Sequence, residues 1–369
     1  MPGTINNLLT EDWTGRLLII KPSSLGDIVH ALPVLSALRR RCPKASLDWV
    51  VRTELAGLFE CIEGVNRLLL FNRKTMGRWY QPAAYQALGA FLRQLRQGRY
   101  DLVLDLQGLL RSALFGVASG CRLRAGLKEA REGATLFYTH IAPTPSSAHI
   151  LDLYQELLGL LGVPLEPVEY GLHSTPQARE TAAALLAKEG LQPRHFAVLA
   201  VGSAHQRKCW PPERFAQVAA FLHRRAGLPV VIAGSAKEQA VGEQIRKAAE
   251  VPIALLTGRT TLPQLVALLE QAALVVGNDS GPTHIAAALN TPTVMIFGPT
   301  NPARLFPRQR SAAIAAVNPF GRGRSIDNPE PMYRMENISV EQVLEAINSL
   351  PAVSEGLEQN LNRSSKKDS

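Results

Sequence analysis

The chain of 369 residues has little that would mark a secreted, membrane-spanning or disordered protein. Its four cysteines show no C-x-x-C spacing, so we interpret them as reduced thiols of a cytosolic protein and expect no zinc site. No apolar run approaches the roughly 20 residues that span a bilayer, and the segment MPGTINNLLTEDWTG lacks the basic region and apolar core of a signal peptide. Only 19% of the residues are charged and 46% are hydrophobic, which is typical of a well-buried globular protein. We therefore expect a soluble or at most peripheral protein.

Acidic residues are the scarcer charged class, since 40 lysine and arginine residues face 31 aspartate and glutamate residues. The resulting net charge of +9 favours anionic partners such as nucleotides, phosphorylated lipids, nucleic acid or an anionic membrane face. Nucleic acid fits poorly, because the four tryptophans and seven tyrosines are not interleaved with the basic residues as stacking platforms require. A non-catalytic protein that binds nucleotides or nucleic acid stays open as an alternative.

Short apolar runs alternate along the chain with longer segments of helical period, and these runs predict strands. Because the runs are nearly continuous in apolar residues, they indicate parallel sheets covered on both faces, and so α/β domains of Rossmann-like type. A single core stops growing at roughly 250 to 300 residues, so we expect two such domains, at 1–170 and 171–350, and a flexible tail at 351–369. The predicted strands are LLIIK (17–21), LDWVV (47–51), RLLLF (67–71), LVLDL (102–106), FAVLAV (196–201), PVVIAG (229–234), IALLTG (253–258), ALVVG (273–277) and TVMIFG (293–298).

The stretch VGNDSGPTHIAAAL is the most informative, because a predicted strand breaks into a polar turn and then an alanine-rich helix. The turn N-D-S-G supplies capping side chains and, in Gly281, a residue without Cβ at the mouth of the helix. The free amides and the positive end of the helix dipole predict a phosphate site, to which Asp279 and His284 add titratable side chains. The same pattern also fits an ordinary capped junction between a strand and a helix.

The loop after the first predicted strand, K-P-S-S-L-G-D, is a second candidate site. It is not a dinucleotide fingerprint, which needs G-x-G-x-x-G, because Gly26 is its only glycine. Asp27 opens a helix and stands at the carboxyl edge of a parallel sheet, where α/β domains hold their ligands. We therefore consider Asp27 either a general base or a helix cap stabilised by the helix dipole.

A basic loop, GSAHQRKCW, follows the first predicted strand of the second domain. Lys208 puts positive charge at the ligand edge of that sheet and Ser203 presents a hydroxyl, so the loop can hold a diphosphate without a metal ion. A solvated basic loop is the alternative. Glu238, after the next predicted strand, can accept hydrogen bonds from ribose hydroxyls, or it is an ordinary exposed residue at a helix start.

Three segments taken together carry a family resemblance: SSLGDIVHALP, HQRKCWPPERF, and NDSGPTHIAAAL with FGPTNP after it. From Leu17 to about Ile347 the chain resembles glycosyltransferase family 9, the ADP-heptose:lipopolysaccharide heptosyltransferases. The resemblance implies a GT-B architecture of two Rossmann-like domains facing a cleft, with the acceptor on the first domain and the donor nucleotide on the second. It also implies that a last helix, around 340–350, returns to the first domain. Two segments, YDLVLDLQGLLRSAL and KEAREGATLFY, look most similar to the branch that adds the first heptose to the Kdo-bearing lipid A core.

The resemblance implies an inverting transfer of heptose from ADP-heptose to the Kdo/heptose inner core of lipopolysaccharide. By position, Asp27 matches the proposed base, and Lys208 matches the lysine that stabilises the leaving diphosphate. No DxD pair is present as a metal clamp, so we predict no metal site and no cofactor besides the donor substrate. Ala204 departs from the pattern, because related enzymes can have a second hydroxyl residue there. The full set of matches is donor-binding Ser203, Lys208, Glu238, Asp279, Ser280, Gly281 and His284, and acceptor-binding Ser24, Gly26 and Arg131.

The partners that the resemblance implies are ADP-heptose, a lipid A–Kdo type acceptor and, transiently, an anionic membrane surface, with no nucleic acid. We expect a cytoplasmic monomer that lies peripherally at the inner face of the bacterial inner membrane. Arg73, Lys74 and Arg78 flank Trp79 and Tyr80, a mixture suited either to an anionic interface or to a solvated loop. A sugar-nucleotide epimerase of the same fold is the second alternative, and it would need no acceptor.

Overall fold

The structure, a computed structural model, describes residues 8–77 and 80–351. Arg78 and Trp79 of the predicted membrane-facing segment, and all but the first residue of the predicted tail, lie outside the described residues. The chain divides into two compact units, Met1–Leu172 and His173–Ser369. In the described part of the chain no helix has the length and apolar character that crossing a membrane requires.

The first unit is built around one sheet of six parallel strands in the order β3-β2-β1-β4-β5-β6. The central strand β1 is fully buried from Leu17 to Ile20, and a strand covered on both faces is apolar throughout rather than alternating. The strands are β1 (Arg16–Ile20), β2 (Ser46–Arg52), β3 (Arg67–Phe71), β4 (Leu102–Asp105), β5 (Arg124–Leu127) and β6 (His140–Ala142). The helices are α1 (Leu25–Arg41), α2 (Arg73–Met76), α3 (Pro82–Gln97), α4 (Leu110–Ala118) and α5 (Ile150–Gly159).

The second unit repeats this plan with six parallel strands in the order β12-β11-β10-β7-β8-β9. Its strands are β7 (Ala197–Ala200), β8 (Val230–Ile232), β9 (Ile253–Leu255), β10 (Leu274–Asn278), β11 (Thr293–Phe297) and β12 (Ala312–Ala316). Its helices are α6 (Pro176–Lys188), α7 (Pro212–Arg224), α8 (Gln239–Ala249), α9 (Leu262–Glu270), α10 (Gly281–Ala288), α11 (Pro302–Leu305) and α12 (Val340–Asn348).

Each sheet has one point where the chain reverses its direction of travel across the strands. In the first unit the chain moves outward from β1 to β3 and then returns to place β4 on the other side of β1. In the second unit it moves from β7 to β9 and returns to place β10 beside β7. The loops at the carboxyl ends of the two strands diverge at such a switch point and leave a crevice, which is where open α/β sheets bind ligands.

All nine predicted strands are present, each displaced or shortened by at most a few residues, and the two Rossmann-like α/β units are confirmed. Three strands were not predicted, namely β5, β6 and β12. Their sequences, RAGL, HIA and AAIAA, are short and hold few β-branched or aromatic residues, so they lack the composition that signals a strand. Strands β6 and β12 are also edge strands, which have only one neighbour to pair with.

Helix α12 packs its apolar side against β11, β12 and α7 of the second unit. Val343, Ala346 and Ile347 of this helix belong to the buried core of that unit. The return of this helix to the first domain, which the family resemblance implied, stays a prediction.

Candidate active site

Asp279 lies between the end of β10 and the start of α10, at the switch point of the second unit, and both of its carboxylate oxygens have partners. Nζ of Lys208 lies 2.8 Å from Oδ2, and Nε2 of His284 lies 3.0 Å from Oδ1. The side chains of Asp279 and His284 are only 6% and 4% exposed. One carboxylate therefore holds a lysine from the loop after β7 and a histidine from α10 at the mouth of the same helix.

The charge state of Asp279 follows from these contacts. Burial raises the pKa of its carboxyl group, but the hydrogen bond with His284 and the positive charge of Lys208 lower it by more, so the pKa lies well below its usual range. The group is thus ionised at neutral pH and balances part of the charge on Lys208. The first amides of α10 have no partner within the helix and add positive potential at the same place.

Asn278 explains why the two loops meet here. Its side chain is fully buried, Oδ1 accepts a hydrogen bond of 3.0 Å from the backbone N–H of Trp210, and Nδ2 donates one of 2.7 Å to the carbonyl of Val201. Both partners belong to the loop that follows β7. Trp210 is itself fixed in the core, where its indole N–H donates to the carbonyl of Ile338 at 2.9 Å. A single buried amide thereby ties the loop of Lys208 to the turn of Asp279.

The first turn of α10 leaves one polar group available. The Thr283 hydroxyl accepts from the backbone N–H of Ser280 at 3.3 Å and lies 2.8 Å from the carbonyl of Asn278. The Ser203 hydroxyl donates to the carbonyl of Asp279 at 3.3 Å. In contrast, Oγ of Ser280 is buried and has no hydrogen-bond partner in the described part of the chain. An orphaned hydroxyl beside a cation and free helix amides fits a ligand oxygen.

Glu238 lies at the same edge of the sheet, in a short 3₁₀ turn that follows β8. A Cβ on Gly202 would lie 2.6 Å from Cγ of Glu238, so the glycine makes room for this side chain beside the loop after β7. The Ser235 hydroxyl donates to Oε2 of Glu238 at 2.7 Å. The carboxylate is therefore positioned between the loops after β7 and β8, next to the loop that carries Ser203.

In the first unit, Asp27 occupies the first turn of α1, and Ser24 is the N-cap of that helix. Oδ2 of Asp27 accepts hydrogen bonds from the backbone N–H of Ser24 at 2.7 Å and from its hydroxyl at 2.9 Å. Burial raises the pKa of Asp27, but the positive charge of Lys21 and the bonds from Ser24 lower it by more. Asp27 is thus a helix cap in this structure and an ionised carboxylate at neutral pH. Its role as a base stays a prediction.

Lys21 is a feature of this site that the sequence analysis did not single out. It is buried at the end of β1, and its ammonium donates to the carbonyl of Leu106, the residue after β4, at 3.0 Å. Burial lowers the pKa of Lys21, and the neighbouring Tyr154, Asp27 and Asp105 raise it by more. The sequence shows only a lysine at a strand end, and it is the packing that shows this lysine to be buried.

The loop after β4 is organised by Asp105 and reaches the segment of Arg131. Asp105 is buried, and its Oδ1 accepts from the backbone N–H groups of Gln107 and Gly108 at 2.9 and 3.1 Å. Burial raises the pKa of Asp105 above its usual range, although hydrogen bonds from Tyr138 and other partners oppose this effect. The backbone N–H of Arg131 donates to the carbonyl of Gly108 at 2.8 Å. Arg131 is exposed at this loop, one strand away from Ser24, Gly26 and Asp27.

Three arginines line a cavity of about 70 Å³ in the first unit. Arg52 and Arg111 were not predicted, and Arg73 was named only in the segment suited either to an anionic interface or to a solvated loop. Arg52 ends β2, Arg73 follows β3 and Arg111 lies in the first turn of α4, so all three come from the carboxyl edge of the sheet. Ser23 and Gln107 also line the cavity. Burial lowers the pKa of Arg52, and the charges of Arg73 and Arg111 lower it further. Like charges gathered in one cavity indicate a site for an anionic group, and the cavity has room for one carboxylate or phosphate.

The predicted donor residues of the second unit are thus gathered at one switch point, with Glu238 one loop farther along the same edge. Of the predicted acceptor residues of the first unit, Ser24 and Gly26 follow β1, and Arg131 follows β5, where its backbone N–H donates to the loop after β4. Among the described residues, no group of three or more histidine, cysteine, aspartate or glutamate side chains is arranged to hold a metal ion. The four cysteines are free thiols, as expected.

Comparison with known proteins adds to this geometry. Residues 88–333 match the sequence model of glycosyltransferase family 9, which is described as heptosyltransferase. Lipopolysaccharide heptosyltransferase 1 of Pseudomonas aeruginosa is 32% identical over 294 residues, which cover 78% of this chain and 79% of the relative. Lipopolysaccharide core heptosyltransferase OpsX of Haemophilus influenzae is 26% identical over 304 residues, which cover 82% and 84%.

A solved structure shows the same fold. The heptosyltransferase WaaC of Escherichia coli, determined with ADP, superposes with a TM-score of 0.72 at 23% identity, over 89% of this chain and 98% of that one. The likeness includes both six-stranded sheets and confirms the predicted GT-B fold class.

Proposed function

This chain belongs to glycosyltransferase family 9, the heptosyltransferases, and we propose that it transfers heptose from ADP-heptose to the inner core of lipopolysaccharide. The observation that carries the proposal is the cluster of Lys208, Asp279 and His284 at the mouth of α10. It is built for the diphosphate of a nucleotide sugar. The relatives named for lipopolysaccharide and the structure that holds ADP support the choice of donor and acceptor class.

We infer that the second unit binds the donor. Lys208 and the amides at the start of α10 face the diphosphate, and Oγ of Ser280 gains a hydrogen-bond partner there. Glu238 accepts hydrogen bonds from the ribose hydroxyls, and Ser203 contacts the donor from the same edge. Asp279 contributes by holding Lys208 and His284 in place, because each of its oxygens already has a partner.

The transfer itself is proposed to be inverting. Asp27 accepts the proton of the acceptor hydroxyl while that oxygen forms a bond with C1 of the heptose, on the face opposite ADP. The bond from C1 to the diphosphate oxygen breaks, and its electron pair leaves with ADP. Lys208 and the α10 amides stabilise the negative charge that develops on the diphosphate. The low pKa of Asp27 keeps the carboxylate ionised and ready at neutral pH.

The first unit is proposed to bind the acceptor. Its arginine cavity suits an anionic group of the lipid A–Kdo acceptor, since guanidinium groups pair well with carboxylates and phosphates. Ser24 and Gly26, at the start of α1, and Arg131, beside the loop after β4, complete the acceptor side. We further propose that the protein acts as a monomer at the cytoplasmic face of the inner membrane, where Arg73 and Lys74 add positive charge.

The transfer assay combines the purified protein with ADP-heptose and a Kdo-bearing lipid A acceptor and follows the acceptor mass. We expect the mass to rise by one heptose, with ADP released only when the acceptor is present. Consumption of the donor without acceptor, to give an epimer, would favour an epimerase and reject the transferase. Binding of ADP-heptose without any turnover would favour a non-catalytic nucleotide-binding protein.

The same assay tests the metal-independent mechanism. Since the positive charge at the diphosphate comes from Lys208 and helix amides, the rate should be unchanged after exhaustive treatment with EDTA. Loss of the rate with EDTA and its recovery with Mg²⁺ would contradict the mechanism while leaving the transferase reaction intact.

A further inference from the structure

Helix α4 is apolar nearly all round, although the fold covers only one of its sides. Its sequence is LRSALFGVA, and Ala113, Phe115 and Gly116 are buried against the rest of the first unit. On the other side, the side chains of Leu110, Leu114 and Val117 are 37%, 44% and 41% exposed. Positions i, i+4 and i+7 of a helix lie on one face, so these three form a continuous stripe. A helix of this kind normally has a second apolar partner.

Leu136 adds a fourth exposed apolar side chain beside this helix. It lies in the 3₁₀ turn Ala134–Phe137, which packs against α4, and it is 84% exposed. The turn begins after Gly133, whose φ of 74° lets the chain reverse there. Single exposed leucines are ordinary on protein surfaces, whereas a contiguous patch marks an interaction site. We call Leu110, Leu114, Val117 and Leu136 the α4 apolar face.

The segments next to this face in the sequence are rich in positive charge. Between residues 106 and 140 the sequence holds five basic side chains and two acidic ones. Arg122, Lys128 and Arg131 are exposed. Of the two acids, Glu132 accepts a hydrogen bond from the backbone N–H of Leu110 at 3.2 Å, so it is tied to the first turn of α4. The other is Glu129. An apolar stripe with a basic rim has the chemistry of a surface that enters the headgroup region of an anionic membrane.

We propose that the α4 apolar face docks on an anionic lipid bilayer, with the leucine side chains at the headgroup–acyl boundary and Arg122, Lys128 and Arg131 at lipid phosphates. A bilayer suits this face better than a second copy of the chain. Four partly exposed side chains offer far less than the roughly 800 Å² per partner that a stable protein interface buries. A bilayer needs no shape complementarity, only apolar area and charge. The proposal rests on the proposed function only for its context, since a lipid acceptor must be met at its membrane.

The test is co-sedimentation with vesicles in the absence of donor and acceptor. Wild type is compared with the triple variant Leu110→Gln, Leu114→Gln, Leu136→Gln on phosphatidylglycerol-containing vesicles and on phosphatidylcholine vesicles. We expect wild type to bind the anionic vesicles and the triple variant to bind at least tenfold more weakly, with thermal melting unchanged. A matched control carries Phe320→Gln and Met332→Gln, which alter exposed apolar side chains of the second unit, and should bind as wild type does.

A second measurement does not depend on the stability of the triple variant. A polarity-sensitive dye is attached at Leu136→Cys in a chain that also carries Cys209→Ser, since the other three cysteines are buried. We expect the dye emission to shift to the blue when anionic vesicles are added. No shift, or equal vesicle binding by wild type and triple variant, would overturn the proposal. It would also fail if wild type dimerised at these concentrations and the triple variant did not, because the occupant would then be a second copy.

Activity separates this proposal from the proposed function. The triple variant should keep the wild-type rate on a deacylated, water-soluble acceptor and lose rate at least tenfold on the acceptor embedded in vesicles. If neither acceptor is glycosylated by wild type, the proposed function fails, and vesicle binding still decides the docking proposal. Equal rates of both proteins on the embedded acceptor would overturn docking while the transferase reaction stands.

Discussion

Asp27 in the first unit and Asp279 in the second both lie beside the switch point of their sheet, but Asp27 follows β1, the first strand of its unit, whereas Asp279 follows β10, the strand that returns beside the first one. Each has a lysine beside it, and in both cases the pKa of the carboxyl group is lowered. They differ in what their oxygens do. Asp279 is buried, with one oxygen on Lys208 and the other on His284, whereas the hydrogen bonds from Ser24 to Asp27 share one oxygen, Oδ2.

We infer from this difference that Asp279 holds its partners in place, whereas Asp27 takes part in the reaction. A carboxylate whose two oxygens are both held by cationic or hydrogen-bonding partners cannot take a substrate proton without losing one of them. We therefore propose that Asp279 acts by fixing the positions of Lys208 and His284. Asp27 is partly exposed and is held by its own helix cap, which orients it without requiring a second chain segment. Both carboxylates lie at a switch point, so their place in the fold does not distinguish the two proposed roles. The partners of their oxygens do.

The largest expected effect is that of Asp27→Asn. The substitution keeps the size of the side chain and an oxygen that can accept from Ser24, but it removes the ability to take up a proton. We expect kcat to fall by roughly 10² to 10⁴ while the KM for ADP-heptose stays near that of wild type. Ser24→Ala is the matched control, because it disturbs the cap and leaves the carboxylate, and it should cost far less. If Asp27→Asn kept more than a tenth of wild-type turnover, Asp27 would act only as a helix cap.

Lys208→Ala has the next largest expected effect and tests the Asp279 site of the second unit. Loss of the ammonium should cost about 2 to 4 kcal/mol of transition-state stabilisation, measured as the drop in kcat/KM for the donor. Arg207→Ala is the control, since the neighbouring arginine pairs with Asp327 and not with Asp279. If both variants lost the same activity, general basicity of the loop, not the placement of Lys208, would account for the effect.

Asp279→Asn should affect stability as well as rate. The pKa of Asp279 is lowered in the folded protein, so its carboxylate stabilises the fold fully above the unfolded pKa of about 3.9. This contribution shrinks as pH falls below that value and is lost as pH falls through the lower pKa of the folded state. Breaking the partly buried pair with Lys208 should lower the free energy of unfolding by about 2 to 3 kcal/mol at pH 7. Urea unfolding at pH 7 and at pH 3 measures this. A difference between wild type and variant that does not shrink at pH 3 would contradict the assignment.

A smaller effect is expected from Arg111→Ala, which opens the arginine cavity of the first unit. If this cavity holds an anionic group of the acceptor, the KM for the acceptor should rise by about tenfold, the loss of one charge-assisted hydrogen bond. The KM for ADP-heptose should not change. Arg99→Ala, an exposed arginine of the same unit outside this cavity, is the control. If the KM for ADP-heptose rose instead, the cavity would contribute to donor binding and not to acceptor binding.

The fold could be predicted from the sequence wherever burial on both faces leaves a continuous apolar run, as in RLLII at β1. A strand could not be predicted where it forms mainly because a neighbouring strand pairs with it. Strand β12, with the sequence AAIAA, is such a case, because alanine has little strand preference and the pairing with β11 supplies the hydrogen bonds. The order of the strands in each sheet could not be predicted from the strand sequences either, because the order is set only when the sheet assembles.

The same limit applies to the site. Lys208 and Asp279 each stand out in the sequence, next to a strand end, but their contact joins residues 71 positions apart and depends on β7 lying beside β10. The arginine cavity was missed for this reason, since Arg52, Arg73 and Arg111 follow three different strands. Lys21 was missed because a lysine at a strand end is usually solvated, and only the packing around it shows that it is buried.

The smallest expected effect, and the one that tests the comparison most directly, is the pH dependence of Lys21→Met. The charge of Lys21 lowers the pKa of Asp27, so its removal should raise that pKa and protonate the base at a higher pH. We expect the acid limb of kcat/KM for the acceptor to move to higher pH, with a smaller change in the rate at the plateau. Lys44→Met, at an exposed lysine that pairs with Asp12, should leave the limb where it is. Lys208→Met should lower the rate at every pH without moving the limb, because in the proposed mechanism Asp279 holds Lys208 in place and does not take up the proton. An unchanged limb in Lys21→Met, in a protein that melts as wild type does, would leave Lys21 with a packing role only.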